Sequence, residues 1–229
     1  MRFCRDYYLY TDSGDRMEAT SLPDYYRNYV WNDKHALFGY PPDQYPDFEW
    51  IRSLERRFLY FREQPEPAPL FLVTEMIQWG GSQNGVLEKF QNALGSYCLH
   101  DRLKLVIKNL QNPEGAIESA LSIPGLGLTY ASKLLRYLDP ENYGALDRRI
   151  REGLARLTPA PLPKIYDSNM ASMIMGYTAF TTYVRRLRDD LTAKGVFLPG
   201  GNDEGRTWRA AEVEMALFVW SSAKANDTL

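Results

Sequence analysis

Apolar residues in this chain recur mainly at helical spacing. Leu70, Val73, Met76 and Ile77 share one face, and their run stops at Trp79-Gly80-Gly81. A polar turn through Gln83-Asn84-Gly85 leads to a second helix over 86–94. Leu103, Val106, Ile107 and Leu110 mark the next. Asn112-Pro113-Glu114 reads as a helix start, with Asn as cap and Pro at the first helical position. Ala131, Leu134, Leu135 and Leu138 share a face, as do Ile150, Leu154 and Leu157. The Pro-rich 158–163 stretch stops the latter helix. Two more helices are expected, around 169–190 and 207–221, the last burying Val213, Ala216, Leu217 and Trp220. No segment shows the alternation of a strand, and no internal repeat occurs. The expected class is all-α, with space for two lobes and a cleft between them.

Composition refines this little. Of the 31 Phe, Trp and Tyr residues, 16 lie in the first 61 positions, which sets that region apart. Pro65-Glu66-Pro67-Ala68-Pro69 reads as a stiff connector. The expected division is an aromatic-rich N-terminal elaboration over 1–65 and a helical body over 66–229.

A hydrophobic fraction of 45% with 24% charged residues excludes a disordered chain. No apolar run approaches the ~20 residues of a membrane span. The opening Met1–Asp6 stretch lacks an apolar signal core, so a cytoplasmic protein without a membrane partner is expected, associated with the nucleoid in a prokaryote. Cys4 and Cys98 are too few for a disulfide framework or an iron–sulfur cluster. His35 and His100 have no partners at zinc-ligand spacing, so no catalytic metal is expected. A net charge of −2 neither announces nucleic acid nor excludes it, because a local basic surface suffices.

The chemistry concentrates in one segment. A helix ends near Leu121, Ile123-Pro124-Gly125-Leu126-Gly127 turns the chain, and a second amphipathic helix begins at once. The glycines allow a sharp turn and close approach to a partner. Free N–H groups at the new helix start, with the positive end of its dipole, suit a phosphate. A plain helical hairpin is the bland alternative. The offsets of the later Ala and Leu pair favour a helix-hairpin-helix over 116–138.

Downstream, Leu138-Asp139-Pro140-Glu141-Asn142-Tyr143-Gly144-Ala145-Leu146-Asp147-Arg148-Arg149-Ile150 follows. Over 121–157 the chain resembles the helix-hairpin-helix DNA glycosylase superfamily, which includes endonuclease III and the adenine and 8-oxoguanine glycosylases. In that family a Pro-Gly-x-Gly turn is followed, about 20 residues after its second glycine, by a catalytic aspartate that begins the next helix. Asp147 lies 20 residues beyond Gly127. The resemblance implies a monomer acting on double-stranded DNA that contains a damaged or modified base. The base would be flipped out and its N-glycosidic bond hydrolysed. Breaking that bond builds positive charge on the sugar, which a fixed carboxylate stabilises. Asp is also a preferred helix cap, and Asp147 is placed to serve as one.

Bifunctional relatives carry a lysine two residues after the second glycine. Here that position is Thr129, which favours a monofunctional enzyme using water. Lys133, one helical turn on, could reach the same pocket as a nucleophile or remain a phosphate-contacting lysine. The absence of an iron–sulfur ligand set matches the cluster-free branches. They imply an oxidised purine such as 8-oxoguanine, with an alkylated or phage-type modified base also open. No cofactor is implied beyond a monovalent cation on the carbonyls of Leu121, Ile123 and Leu126.

By family position, the 80–85 turn would supply a wedge from Gln83 or Asn84, and Gln78 and Trp79 would face the same cleft. Trp79 suits stacking on a base, although the core is its commoner place. Pro124, Gly125, Leu126, Gly127 and Thr129 would meet the DNA backbone, with Arg148 and Arg149 gripping it beside Asp147. Further basic residues are Arg136, Arg151, Arg156, Arg185, Arg186 and Arg188. A mixed-charge solvated face is the bland reading of this set. Two rival functions are a noncatalytic DNA-binding module of repair or recombination, and a protein-interaction domain that kept the fold without the DNA.

Overall fold

The computed structural model describes residues 9–10, 16–17, 19–30, 48–65, 69–200 and 204–226. Cys4, His35 and many of the N-terminal aromatics lie outside them. The described chain is helical: α1 (Leu22–Arg27), α2 (Glu49–Glu63), α3 (Pro69–Trp79), α4 (Val86–Ala93), α5 (Leu99–Asn109), α6 (Pro113–Leu121), α7 (Leu128–Leu138), α8 (Arg148–Leu154), α9 (Met170–Ala193) and α10 (Ala210–Asn226). A two-residue antiparallel pair, β1 (Leu9–Tyr10) with β2 (Arg16–Met17), is the departure from the all-helical expectation. Among the described residues no helix is long and apolar enough to cross a membrane.

α7 lies at the centre. Every residue from Tyr130 to Leu138 is buried, because α2, α3 and α6 all pack on this helix. α10 is the second hub and meets α1, α8 and α9. The aromatic N-terminal segment joins this core directly. Tyr26 meets Trp208 edge-on at 5.5 Å, and Phe58 stacks on Tyr137 at 5.4 Å. Pro69, at the end of the proline-rich stretch, opens α3.

Two helix starts are closed by side-chain caps. Asn169 caps α9 by accepting the Ser172 N–H at 2.9 Å, and Asp147 caps α8 by accepting that of Ile150 at 2.8 Å. Asn112 does stand at the N-cap of α6 with Pro113 behind it, but its side chain makes no capping bond. The fixed φ of Pro113 sets that start instead.

Buried charge ties the helices together. Arg57 and Glu75 join α2 to α3 through two bonds of 2.6 Å. Glu55 on α2 accepts from Arg209 at 2.7 Å and from Arg136 of α7 at 3.5 Å, while Arg209 also pairs with Glu212 of α10. Arg136 is 1% exposed, so it is a core cation and not part of a basic outer face. Its charge is retained because carboxylates on two other helices offset the desolvation.

Candidate functional site

The turn between α6 and α7 is held from inside and open outside. Ile123 and Leu126 are buried and anchor it, and the Leu126 N–H closes it on the Ile123 carbonyl at 3.1 Å. Gly125 has φ +86°, and a Cβ there would stand 2.6 Å from the Phe90 nitrogen of α4. Only glycine satisfies both conditions. Gly127 is different: its backbone is extended, it is exposed, and nothing lies within 4 Å of an added Cβ. Its carbonyl receives the Tyr130 and Ala131 N–H groups at 3.0 and 2.9 Å, so α7 begins at an exposed backbone. Pro124 and Thr129 are half-buried beside it.

Between α7 and α8 the chain is irregular yet fixed residue by residue. The Ala210 and Ala211 N–H groups, opening α10, bond the Glu141 and Pro140 carbonyls at 3.2 and 3.0 Å. The Gly144 carbonyl accepts from Tyr177 Oη of α9 at 3.0 Å. The Ala145 N–H faces the carboxyl of Glu214 on α10. The Leu146 N–H donates to Ser132 Oγ of α7 at 2.9 Å. Asp147 then closes on α8 through its own cap. Gly144, Leu146 and Asp147 are therefore bonded to three different helices, and Ala145 faces a fourth. Gly144 permits the last approach, because a Cβ there would stand 2.7 Å from that of Glu214.

Inside this strap sits a cluster of ionisable groups. Lys133 is 8% exposed, and its Nζ lies 4.1 Å above the Trp79 ring. Tyr130 Oη donates to the Gly80 carbonyl at 3.1 Å and docks the end of α3 onto the same face of α7. Glu214 is 5% exposed, with its Oε2 at 3.9 Å from Arg136 Nε. Burial pushes its carboxyl up to about 7, and the Asp147 charge adds to this. The cations Arg136 and Lys133 and the Ala145 N–H pull the other way. Glu214 thus lies within the electrostatic reach of both Lys133 and Asp147. Asp147 is half-buried, and its carboxylate caps α8.

The remaining residues expected from the sequence are scattered around this centre. Trp79 is in the core at 2% exposure, packed between Trp50, Tyr137 and Lys133, so its ring is a floor under Lys133 and presents no face to solvent. Gln78 is half-buried at the end of α3. Asn84 is exposed, with φ +57°, in a turn that also holds Ser82 at φ +49°; the side chain of Gln83 lies outside the described residues. Arg148 is 83% exposed and pairs with Glu152 at 2.6 Å. Arg149 is exposed, 4.7 Å over the Phe218 ring and bonded to Ser222. Arg151, Arg185 and Arg188 are occupied by Asp167, the Asn142 carbonyl and the Glu141 carbonyl.

A cleft of about 630 Å³ runs along α8 and the 155–167 segment. Its arginines Arg148 and Arg151 are already matched by Glu152 and Asp167, so it is not an anion site. No group of three His, Cys, Asp or Glu able to hold a metal ion occurs among the described residues.

Ser132, Ala145 and Glu214 were not evident from the sequence. The available signal was Glu212 and Glu214 inside the apolar run that opens α10.

Comparison with protein-family models, curated proteins and solved structures found no significant match to this chain.

Proposed function

We propose that the chain is a DNA glycosylase that extrudes a damaged or modified base from duplex DNA and hydrolyses its N-glycosidic bond at Asp147. The supporting observation is the coupling of two features in one rigid unit: an exposed backbone turn at Gly127 and a fixed carboxylate at Asp147, joined by the Ser132–Leu146 bond. The exposed start of α7 receives a DNA phosphate, whose negative charge meets the helix dipole. Exposed Arg149 adds positive charge near Asp147. The C1′–N bond breaks with its electron pair leaving on the base. Water adds to C1′, and its proton passes to the departing base, which leaves neutral. Asp147 stabilises the positive charge that develops on the sugar and orients the water.

Lys133 supplies the possible second activity. It lies on the inner face of α7 near Glu214, where an amine attacking C1′ would expel the base, form a Schiff base as the sugar C1′–O4′ bond opens, and lead to strand cleavage by elimination of the 3′ phosphate. A monovalent cation on the carbonyls of Leu121, Ile123 and Leu126 belongs to the same proposal. The Ile123 oxygen accepts the Leu126 N–H and keeps a second lone pair. An oxidised purine is the favoured substrate, with phage-type modified bases as the second class. The exposed Gly127 backbone alone would also suit a noncatalytic DNA clamp, which needs no carboxylate at position 147.

The deciding experiment is mass-spectrometric detection of free bases released from oxidised, alkylated, deaminated and phage-modified duplexes, with Asp147→Asn in parallel. Release by the wild type alone supports the glycosylase and names its base. Equal release by both removes Asp147 from the chemistry. Equal DNA binding without release by either favours the clamp. Borohydride trapping on wild type and Lys133→Met decides the lyase step.

A further inference from the structure

Glu214 has an environment that Asp147 capping alone does not call for. It projects from α10, a helix remote in sequence from the hairpin, into the space beneath the strap. Its side chain packs against Gly144 so closely that no Cβ fits there, and its carboxyl faces the Ala145 N–H. Its Oε2 is buried and makes no hydrogen bond in the structure, with Arg136 Nε as its cationic neighbour at 3.9 Å. An ion pair built for stability alone would close that gap, as Glu55 does with Arg209 at 2.7 Å on the same hub.

We propose that Glu214 is the positioning residue of Asp147, holding the strap through its packing on Gly144 and setting the electric field around the Asp147 carboxylate by its own charge. This rests on the glycosylase reading of Asp147 and adds a second carboxyl to it.

The groups facing Glu214 define what its charge does. From α7 come Lys133 and Arg136, with Glu55 of α2 reaching Arg136 from behind. From the strap comes Asp147, and from α9 comes Tyr177, whose hydroxyl is bonded to Gly144 and feels the Glu214 charge. Arg209 and Glu212 close the network on its own side. Two cations therefore face two carboxyl groups across the strap. When Glu214 is neutral, Asp147 is the anion that stabilises a developing sugar cation. When Glu214 ionises, a second negative charge enters the same field and favours that cation further. Its ionisation falls at about 7, inside the working range of an enzyme.

Three variants separate this from simple packing. Glu214→Gln keeps the shape and the packing on Gly144 but fixes the charge at zero. Glu214→Asp keeps the charge and shortens the reach. Glu214→Ala removes both. The first readout is NMR of the Asp147 side-chain carboxyl carbon through pH 3–9. The wild-type resonance should show an additional inflection near the Glu214 ionisation, and Glu214→Gln should lack it. One-step curves that coincide in the two proteins overturn the proposal. Should Glu214→Gln fail to fold, Glu214→Asp takes its place; its Asp147 curve should keep the additional inflection, and losing it overturns the proposal. The second readout is base release on a substrate found by the panel above. Wild type should gain about fivefold between pH 6 and 8, Glu214→Gln should stay at the low-pH rate, and Glu214→Ala should fall below both. Wild-type-like activity of Glu214→Gln at every pH reduces Glu214 to packing. If no protein releases a base, the glycosylase reading fails, and the NMR curves still decide whether Glu214 governs Asp147.

Discussion

The backbone N–H of Leu146 donates to Ser132 Oγ at 2.9 Å, joining the residue before Asp147 to the middle of α7. Ser132 also donates to the Thr129 carbonyl at 2.9 Å, so its hydroxyl is used in both senses. The hairpin and the carboxylate are mechanically one unit through this side chain.

Ser132→Ala should therefore leave a buried N–H without its acceptor. The expected loss is about 1–3 kcal/mol of stability by urea unfolding. Base release should fall at constant DNA affinity, because the phosphate-binding turn is untouched. A parallel loss of affinity would show that the strap and the turn are not separable.

Asp147 has two roles that substitution can divide. Asp147→Asn retains a capping oxygen and should unfold within about 0.5 kcal/mol of wild type. Its base release should drop about 100-fold or more, because the anion is gone. Asp147→Ala should lose the cap as well, about 1 kcal/mol in chemical denaturation. Full activity in the Asn variant would leave Asp147 as a cap only.

The two hairpin glycines should respond in opposite ways. Gly125→Ala places a methyl 2.6 Å from the Phe90 nitrogen at a positive φ, and should lower stability by about 2 kcal/mol or more. Gly127→Ala meets open space in an extended conformation, and its melting temperature should stay near wild type. Its affinity for duplex DNA at low salt should nevertheless fall, since the added methyl stands where a phosphate would approach. Unchanged affinity in Gly127→Ala would argue against DNA contact at this turn.

Glu214 also makes a prediction about stability. Its carboxyl is raised to about 7 in the fold, against an ordinary value of about 4.3 in the unfolded chain. Between those values the folded state holds a proton that the unfolded chain has released. Stability should thus fall as pH rises from about 4.3 to 7, by on the order of 2–3 kcal/mol from this group. Glu214→Gln should remove that slope, so the two proteins should diverge in urea midpoint towards neutral pH. Parallel curves would mean the carboxyl is not held in its neutral form.

The helices were legible from the chain to the extent that each reports its own burial. The α6–turn–α7 unit shows a repeating apolar face and a turn of glycines, so its limits follow from local rules. Asp147 stands where a cap is expected and makes the bond expected of it, whereas Asn112 stands in its expected place without one. The interior charges were not legible. Arg136 has the neighbours of a surface residue in sequence, and its burial is decided by Glu55, 81 positions away. Glu214 similarly depends on Gly144 and Ala145, which no local periodicity brings to α10. Trp79 shows the same limit: its place under Lys133 follows from three helices meeting, not from the end of α3 alone.

Residues 144–147 form no regular element, yet each meets a separate body of the fold. Displacing Asp147 requires several helices to yield together, so the coil here inherits a stiffness that helical segments of the same length lack. Precision in this molecule is a property of convergence. An amide-exchange map would find Leu146 among the slow core protons, while the turn at Gly127 exchanges with the solvent that a phosphate would displace.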